Sequence, residues 1–164
     1  MGITRKKTNI MRQSPRTALT RIALVATFLT AFTALAPSAH AATPRARMYQ
    51  VTNGSRLNNG VNKVGIHYTM SKLAHRHSIA MANRGYIFHT SRSVIQGTYL
   101  KGINWSTWGE NVGVTGGTVA GIEQAFMKSP DHRANILNRG FHRVALGTYR
   151  DANGYLWVTV FFYG

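Results

Sequence analysis

The hydrophobic pattern of this chain changes in its last quarter, and that change restricts the fold more than any other feature. Residues 143–149 alternate apolar and polar side chains, and residues 155–163 alternate aromatic and β-branched ones. The segment between them, residues 151–154, has turn chemistry. Two such runs joined by a short turn predict a β-hairpin. Helical spacing precedes the hairpin and no strand–helix–strand repeat occurs, so we predict an α+β fold.

Two helices are predicted between residues 48 and 85. Residues 48–57 form the first, which ends before the turn sequence Asn58-Asn59-Gly60. The second is predicted from a Ser71 cap to Arg84, with Gly85 as its stop. Spacings of four, three and one place its expected inward residues on one face: Leu73, His77, Ala80 and Met81. On that face we interpret His77 as a hydrogen-bonded core histidine.

A third helix is expected after Thr118, with its apolar residues Val119, Ile122 and Phe126 facing inward and Pro130 ending it. Glu123 lies within this helix and is expected to be solvated. Residues 91–106 contain glycine and have no regular period, which predicts a long loop. Residues 112–115 form a short strand-like run.

The N-terminus predicts export. Residues 1–21 contain six Lys or Arg and no acid, and residues 22–36 are apolar except for threonines, a pattern typical of a signal peptide. Small residues before Ala42 predict cleavage after Ala41. The alternative is a retained anchor, but about 15 apolar residues fall short of the roughly 20 that span a bilayer. We therefore expect residues 1–41 to be a signal peptide, residues 42–47 a flexible tail and residues 48–164 one secreted domain, with no transmembrane segment after cleavage.

Charge and cysteine content restrict the partners. Residues 42–164 contain fourteen Lys or Arg and four Asp or Glu, so fourteen minus four gives a formal charge of +10. Such basicity favours anionic partners outside a cell, either cell-wall polymers or acidic lipids, although it can also serve solubility alone. Nucleic acid is not expected, because the cations are scattered and no binding motif occurs. The absence of cysteine predicts an exported fold without disulfides.

Three short segments combine histidine, acid and turn residues: Phe88-His89-Thr90-Ser91, Trp108-Gly109-Glu110-Asn111 and residues 129–137, which begin Ser-Pro-Asp-His. With the run at 73–82, Asn53 and Arg56 in the first helix, and the aromatic final strand, these segments resemble the bacterial, cysteine-free branch of the CAP superfamily, also called the SCP domain. The resemblance covers about residues 48–164. It implies a three-layer α-β-α sandwich with a small antiparallel sheet flanked by helices. The chain departs from the family pattern with Phe126 for a usual Trp, Ala145 for a common Gly, and Ser129 for a second acid.

The resemblance also implies a cavity site. His89, Glu110 and His132 match three of the family's four cavity positions, and Ser129 occupies the fourth. Two imidazoles and one carboxylate form the ligand set of a catalytic zinc site, so a metal-dependent hydrolase, or zinc binding without turnover, is one interpretation. The other is a structural cluster in which Glu110 accepts hydrogen bonds from backbone amides or from His89.

The remaining residues of this region leave smaller questions. Asn135 is expected to hydrogen-bond either across to the site or to the chain. Asp131 is expected to cap the turn that carries His132. We reject a Ser-His-Asp triad at residues 129–132, because three residues within one turn cannot readily take up the relative positions of nucleophile, base and orienting acid. We expect a secreted binding or interaction module at the cell surface or in the medium, with enzymatic activity left open.

Overall fold

The computed structural model describes residues 42–164, so the predicted signal peptide and its cleavage point after Ala41 lie outside the described residues. In this part of the chain there are five α-helices, one π-helical turn and one four-stranded sheet. In chain order they are α1 Pro44–Asn58, β1 Gly65–Ile66, α2 Tyr68–Arg84, α3 Arg92–Val94, the π-helical turn Ile95–Tyr99, β2 Trp108–Thr115, α4 Val119–Lys128, α5 Pro130–Leu137, β3 Arg143–Arg150 and β4 Leu156–Tyr163.

Helix α1 begins earlier than its hydrophobic pattern indicates. Thr43 caps it by accepting a hydrogen bond from the backbone N–H of Ala46 at 3.2 Å. Pro44 occupies the first turn, where its fixed φ is favourable and its missing N–H costs nothing. The predicted flexible tail at 42–47 is therefore wrong from Pro44 onwards, because a cap and a proline start the helix on a polar stretch.

Helix α2 differs from its prediction at its start and in its buried face. The cap is His67, whose Nδ1 accepts from the N–H of Met70 at 3.0 Å. Ser71, the predicted cap, is buried one turn later and accepts from the N–H of Leu146 at 3.0 Å. The predicted stop is confirmed, since Gly85 has a left-handed φ of 74°.

The inward face of α2 was predicted about one residue out of phase. Of the four residues expected there, only Met81 is buried, and the face that packs on the sheet consists of Met70, Ser71, Ala74, Ser78 and Met81. His77 is half-buried at the edge of this face, with Nε2 2.7 Å from the carbonyl oxygen of Phe88. It is hydrogen-bonded, as expected, but it is not a core residue.

The sheet has the strand order β1-β3-β4-β2. Strands β3 and β4 form the predicted hairpin, and β2 pairs with the other edge of β4, also antiparallel. The predicted strand at 112–115 is the second half of β2. Strand β1 is parallel to β3, so the sheet is mixed rather than purely antiparallel as predicted. With only two residues, β1 is too short to show a hydrophobic alternation in the sequence. All eight residues of β4 are buried, because the central strand is covered on both faces.

Helices cover both faces of this sheet, which confirms the three-layer α-β-α sandwich. Alternate residues of β4 enter the two cores. On one face the core joins α1, α4 and α5 to the sheet, with Ile122, Phe126, Val158 and Phe162 among its members. On the other face α2 and the π-helical turn supply Ala74 and Tyr99 to a core that includes Phe161. The inward residues predicted for α4 are confirmed.

The segment 91–106 is more ordered than predicted. Ser91 caps α3, and the π-helical turn follows directly. The turn buries Ile95 and Tyr99, and Leu100 after it is also buried. The loop prediction is wrong there because three apolar residues in a glycine-containing segment are too few to indicate a helix. Among residues 42–164 no helix is both long enough and apolar enough to cross a membrane.

Glu123 is buried, although it was expected to be solvated. It lies between α4 and α1, only 3 % exposed, because α1 packs over this face of α4. Its Oε2 accepts from the hydroxyl of Thr52 at 3.1 Å, and its Oε1 has no partner in the described part of the chain. Burial raises the pKa of Glu123, and the hydroxyls of Ser55 and Thr52 offset this in part.

Replacing Glu123→Gln should stabilise the protein relative to wild type, and increasingly so as pH rises towards the native pKa of Glu123. A raised native pKa means that the native state binds this proton more tightly than the unfolded chain does. The stability it supports is therefore complete below the unfolded pKa of about 4.3 and is lost as pH rises through the native pKa, at about 1.4 kcal/mol per pH unit between the two. Thermal melts from about pH 5 to 8 cover this interval. They should show the melting temperature of the variant rising relative to that of wild type as pH increases. Asp131→Asn, at an exposed acid, is the control and should show no such trend. A gap that is constant with pH would contradict the assignment.

Candidate functional site

The first part of the site is the segment that leaves α2. After Gly85 ends the helix, the chain passes along the edge of the sheet formed by β2 and brings Thr90 against Glu110. Thr90 holds the Glu110 carboxylate twice, because its backbone N–H donates to Oε2 at 2.9 Å and its hydroxyl donates to Oε1 at 2.7 Å. Glu110 is buried on the α2 face of β2, and this pair of hydrogen bonds compensates its burial.

His89 adds a third hydrogen bond to the same carboxylate. Its Nδ1 lies 2.9 Å from Oε2 of Glu110. The two side chains differ sharply in exposure, since 63 % of the His89 side chain is accessible and only 1 % of the Glu110 side chain is. Glu110 therefore lies behind His89 and fixes the orientation of its ring, while Nε2 stays free for an external partner. Both hydrogen bonds expected from the structural interpretation, to a backbone amide and to His89, are present.

The second part of the site is helix α5. Pro130 ends α4 as predicted and also begins α5, with Ser129 at the N-cap between them. Asp131 was predicted to cap this turn, but it is exposed in the first turn and caps nothing. The Ser129 hydroxyl lies 2.9 Å from Nδ1 of His132. The ring of His132 also packs on Phe126, with centroids 4.8 Å apart.

Two asparagines join α5 to β2. The Asn111 side chain donates to the carbonyl of His132 at 2.9 Å. The Asn135 side chain donates to Asn111 Oδ1 at 2.9 Å and to the Glu110 carbonyl at 3.3 Å. Asn135 therefore bonds both to the site strand and to a side chain of that strand, which answers the question its sequence position left open. Gly109 makes room for this contact, because a Cβ there would overlap the Asn135 side-chain amide.

The two halves of the site influence each other electrostatically. Burial lowers the pKa of His132, the nearby His89 acts in the same direction, and Asp131 opposes both. His132 is therefore neutral at neutral pH, with Nδ1 paired to Ser129. The structure brings His89, Glu110 and Asn135 into one hydrogen-bonded region through β2, and it attaches His132 and Ser129 to that region through Asn111.

The residues present do not fit a three-ligand metal centre. Both oxygens of Glu110 already accept hydrogen bonds, and its side chain is shielded from solvent behind His89. Within residues 42–164 no three His, Asp or Glu side chains are grouped so that they could hold a metal ion. A zinc site at His89, Glu110 and His132, and the metal-dependent hydrolase built on it, therefore find no support in this geometry.

The arrangement presents one oriented, solvent-exposed imidazole. His89 Nε2 can hydrogen-bond to an external partner while Glu110 holds the ring in place. Thr90 and Asn111, which position these groups, were not identified as site residues in the sequence. They lie beside His89 and Glu110, but only the fold shows that Thr90 chelates the carboxylate and that Asn111 reaches α5.

The fold and the site can be compared with known families. A family model described as "CAP: Cysteine-rich secretory protein family" matches residues 49–162. The match includes both halves of the site and all of the sheet except Tyr163 at the end of β4. The chain therefore belongs to the CAP family, as the sequence resemblance implied.

Relatives with this fold come from several bacteria. The chain is 31 % identical over 132 residues to the uncharacterized protein YkwD of Bacillus subtilis, covering 79 % of this chain and 50 % of the relative, so it spans half the length of that protein. An extracellular protein containing an SCP domain from Bacillus anthracis has a TM-score of 0.62 at 22 % identity, over 73 % of this chain and 40 % of that one. An outer surface protein of Borrelia burgdorferi has a TM-score of 0.63 at 16 % identity, over 73 % and 91 %. At these identities the two structures establish the fold.

Proposed function

We propose that this protein is a secreted binding module that attaches to phosphate-rich polyanions of the cell envelope through its basic surface. One observation carries the proposal: the fold removes acids from the surface and leaves the cations there. Glu110 and Glu123 are both buried. Asp151 is occupied in the hairpin turn, where it accepts from the indole N–H of Trp157 at 2.8 Å and from two backbone amides. Of the four acidic side chains in residues 42–164, Asp131 is exposed and Asp151 is partly exposed.

The cations show the opposite distribution. Of the Lys and Arg side chains in residues 42–164, only Arg56 is buried, and none forms a salt bridge within that range. The exposed ones are Arg45, Arg47, Lys63, Lys72, Arg76, Arg84, Arg92, Lys101, Lys128, Arg133, Arg139, Arg143 and Arg150. A surface of this kind attracts any polyanion over a Debye length of about 10 Å at 0.1 M salt.

A smaller net charge would be enough if the basic residues served solubility alone. A small domain is kept soluble by a net charge of about 2 to 8, and the formal +10 of residues 42–164 exceeds this range. The cations come from most elements of the fold rather than from one pocket. This distribution suits an extended polymer or a charged surface better than a small ligand. The similarity to proteins described as extracellular and outer surface supports an envelope setting.

A charge-matched set of variants tests the proposal. Lys63, Lys72, Lys101 and Lys128 are all exposed, and their changes to glutamine remove four charges without touching the core. The purified secreted protein should bind teichoic-type wall polymer at about 0.1 M salt, and the four-glutamine variant should bind at least about tenfold more weakly. The matched control changes the same four lysines to arginine and should bind as wild type does, because charge is retained.

A second arm of this test identifies the source of the phosphate. Vesicles containing acidic phospholipid are compared with the wall polymer at equal phosphate concentration. Binding to the polymer alone assigns the wall, binding to vesicles alone assigns the membrane surface, and binding to both assigns the shared phosphodiester chemistry. Wild-type protein that sediments with neither, or a glutamine variant that binds as tightly as wild type, would overturn the proposal.

A further inference from the structure

A small pocket, here called the edge pocket, lies where β1 ends early at one side of the sheet. Its volume is about 210 Å³. Its lining comes from the start of α1, the middle of α2 and strand β3: Thr43, Arg45, His75, Leu146 and Thr148. Strand β1 pairs only with Arg143 and Val144 of β3. Beyond these two residues β3 has no strand neighbour on this side, so its outer edge forms one wall of the pocket.

The backbone groups on this edge of β3 leave one donor open. Alternate residues of a paired strand direct their N–H and C=O to opposite sides, and Leu146 and Thr148 direct theirs away from β4. The N–H of Leu146 donates to the Ser71 hydroxyl at 3.0 Å, and Leu146 itself is 0 % exposed. The Thr148 carbonyl accepts from Nδ1 of His75 at 2.8 Å. The N–H of Thr148 has no partner among residues 42–164, so this wall presents a donor.

Two side chains at the start of α1 add further donors. The Thr43 oxygen already accepts from the N–H of Ala46 at 3.2 Å, which leaves the hydroxyl proton to donate. Arg45 is exposed and makes no side-chain hydrogen bond or salt bridge in the described part of the chain. No acid is among the five lining residues. These groups favour a ligand that accepts hydrogen bonds and carries negative charge.

His75 is held in one tautomer by its hydrogen bond to β3. A carbonyl can only accept, so Nδ1 of His75 carries the proton that it donates to Thr148. Nε2 is therefore an acceptor in the neutral ring, and it becomes a donor only when the ring is protonated. The contribution of His75 to anion binding should for this reason depend on pH.

Cations surround the ring of His75. Arg45 lines the same pocket from α1, and Lys72 and Arg76 are exposed neighbours of His75 on α2. From β3 the ring of Tyr149 packs edge-on against it, with centroids 6.3 Å apart. An anion bound between His75 and Arg45 would therefore favour the protonated ring.

We propose that the edge pocket binds one phosphodiester group and binds it more tightly as the pH falls. The phosphate oxygens accept from the Arg45 guanidinium, the Thr148 N–H and the Thr43 hydroxyl. Protonated His75 adds Nε2 as a fourth donor below about pH 6.5, where free imidazole takes up a proton. About 210 Å³ is below the usual range of ligand pockets and suits a phosphate group rather than a sugar unit. The proposal rests on the envelope attachment proposed above and names one specific contact for it.

The probe is dimethyl phosphate, titrated into the isotope-labelled protein and followed by amide NMR shifts. As a diester it keeps one negative charge at each pH used, so a pH dependence of its affinity comes from the protein. At about pH 5.5, saturable shifts should map to Thr43, Arg45, His75 and Thr148 with a Kd of about 10 mM or tighter, given so few ligand atoms. Uncharged trimethyl phosphate should bind at least about tenfold more weakly.

Two variants separate the contributions of the cation and the imidazole. Arg45→Gln should weaken dimethyl phosphate binding about tenfold. Wild type should bind at least about threefold more tightly at about pH 5.5 than at about pH 8, and His75→Gln should bind equally at both. Arg47→Gln removes an exposed cation of the same helix outside the edge pocket and is the matched control, with wild-type affinity and pH dependence. If His75→Gln does not fold, Arg45→Gln and the wild-type pH profile decide the question.

A second comparison identifies the source of the phosphate. Wild type and Arg45→Gln are bound to teichoic-type polymer and to vesicles containing acidic phospholipid, at equal phosphate concentration and about pH 5.5. Weaker binding of the variant to the polymer alone assigns a wall phosphate, and weaker binding to vesicles alone assigns a lipid headgroup. Weaker binding to both assigns the shared phosphodiester chemistry. Equal binding of the two proteins to both surfaces would overturn the role of the pocket in attachment.

The outcomes for the pocket and for envelope attachment can be told apart. Wild-type protein without saturable shifts, with shifts outside the pocket or with an affinity independent of pH would overturn the edge pocket. That holds even where the four-glutamine variant still loses polymer binding. Saturable binding in the pocket by a protein that sediments with neither polymer nor vesicles would support the pocket and overturn the attachment.

Discussion

Arg56→Met is expected to cost at least about 4 kcal/mol of unfolding free energy and to leave much of the protein unfolded. Arg56 is 1 % exposed, although it carries a charge. Its guanidinium donates to the carbonyls of Asn62 at 2.7 Å, Ile136 at 2.6 Å, Asn138 at 3.0 Å and Phe141 at 3.1 Å. Three of these bonds join α1 to the end of α5 and to the entry of β3, and the bond to Asn62 joins it to the loop before β1. Methionine would leave all four carbonyls without this donor.

Urea unfolding followed by circular dichroism measures this loss. Arg56→Lys keeps the charge but cannot reach four separate carbonyls, so its loss should be smaller than that of Arg56→Met and still large. Arg133→Met is the control, because Arg133 is exposed and makes one bond, to Asn59 at 2.9 Å. That change should alter stability by no more than about 0.5 kcal/mol. An Arg56→Met midpoint equal to that of wild type would show that the four bonds contribute nothing net.

Gly147→Ala is the second change with a large expected effect, a loss of about 3 kcal/mol or more. Gly147 lies in β3 directly under α2. A Cβ there would overlap the backbone C and O of Ala74 and would lie 2.5 Å from the backbone N of His75. These are helix backbone atoms and cannot rotate away, so α2 itself must shift from the sheet. Gly147→Ala therefore moves α2, together with the segment that leads from α2 to His89, away from β3.

The control for Gly147→Ala is Gly121→Ala on the exposed side of α4. A Cβ at Gly121 would meet only the Thr118 hydroxyl at 3.5 Å, which is ordinary contact. Alanine there should stabilise the helix by about 0.5 to 1 kcal/mol. Thermal melts of both variants beside wild type should therefore move in opposite directions. A Gly147→Ala protein that melts with wild type would mean that α2 does not pack on β3 as closely as described.

The elements that the sequence predicted well are those whose pattern is local. The hairpin of β3 and β4 and the inward face of α4 depend on alternation, helical spacing and a cap within a few residues of each other. The start of α1 at Pro44, the shifted face of α2 and the burial of Glu123 were missed for a different reason. Each depends on which element packs against it, and a single-chain pattern contains no such information.

The site shows the same division. The resemblance identified His89, Glu110, His132 and Ser129, and Asn135 was a further candidate. The structure places them around strand β2. Their roles could not be predicted, because they depend on hydrogen bonds between distant segments. Thr90 and His89 use the carboxylate oxygens that a metal would need, and Asn111 and Asn135 reach across to α5. The resulting cluster orients one exposed imidazole at the edge of a basic domain, which is compatible with contact to an anionic partner.

The central claim is that attachment to the cell envelope is electrostatic, and the salt dependence of binding tests it most directly. The affinity of the purified protein for wall polymer and for acidic vesicles is measured from about 0.05 to 0.5 M salt, a range over which exposed charges become screened. We expect the logarithm of affinity to fall linearly with the logarithm of salt concentration and to lose at least about tenfold over this range. The four-glutamine variant should show a shallower slope. Affinity that persists unchanged to about 1 M salt, where the screening length is near 3 Å, would contradict the account.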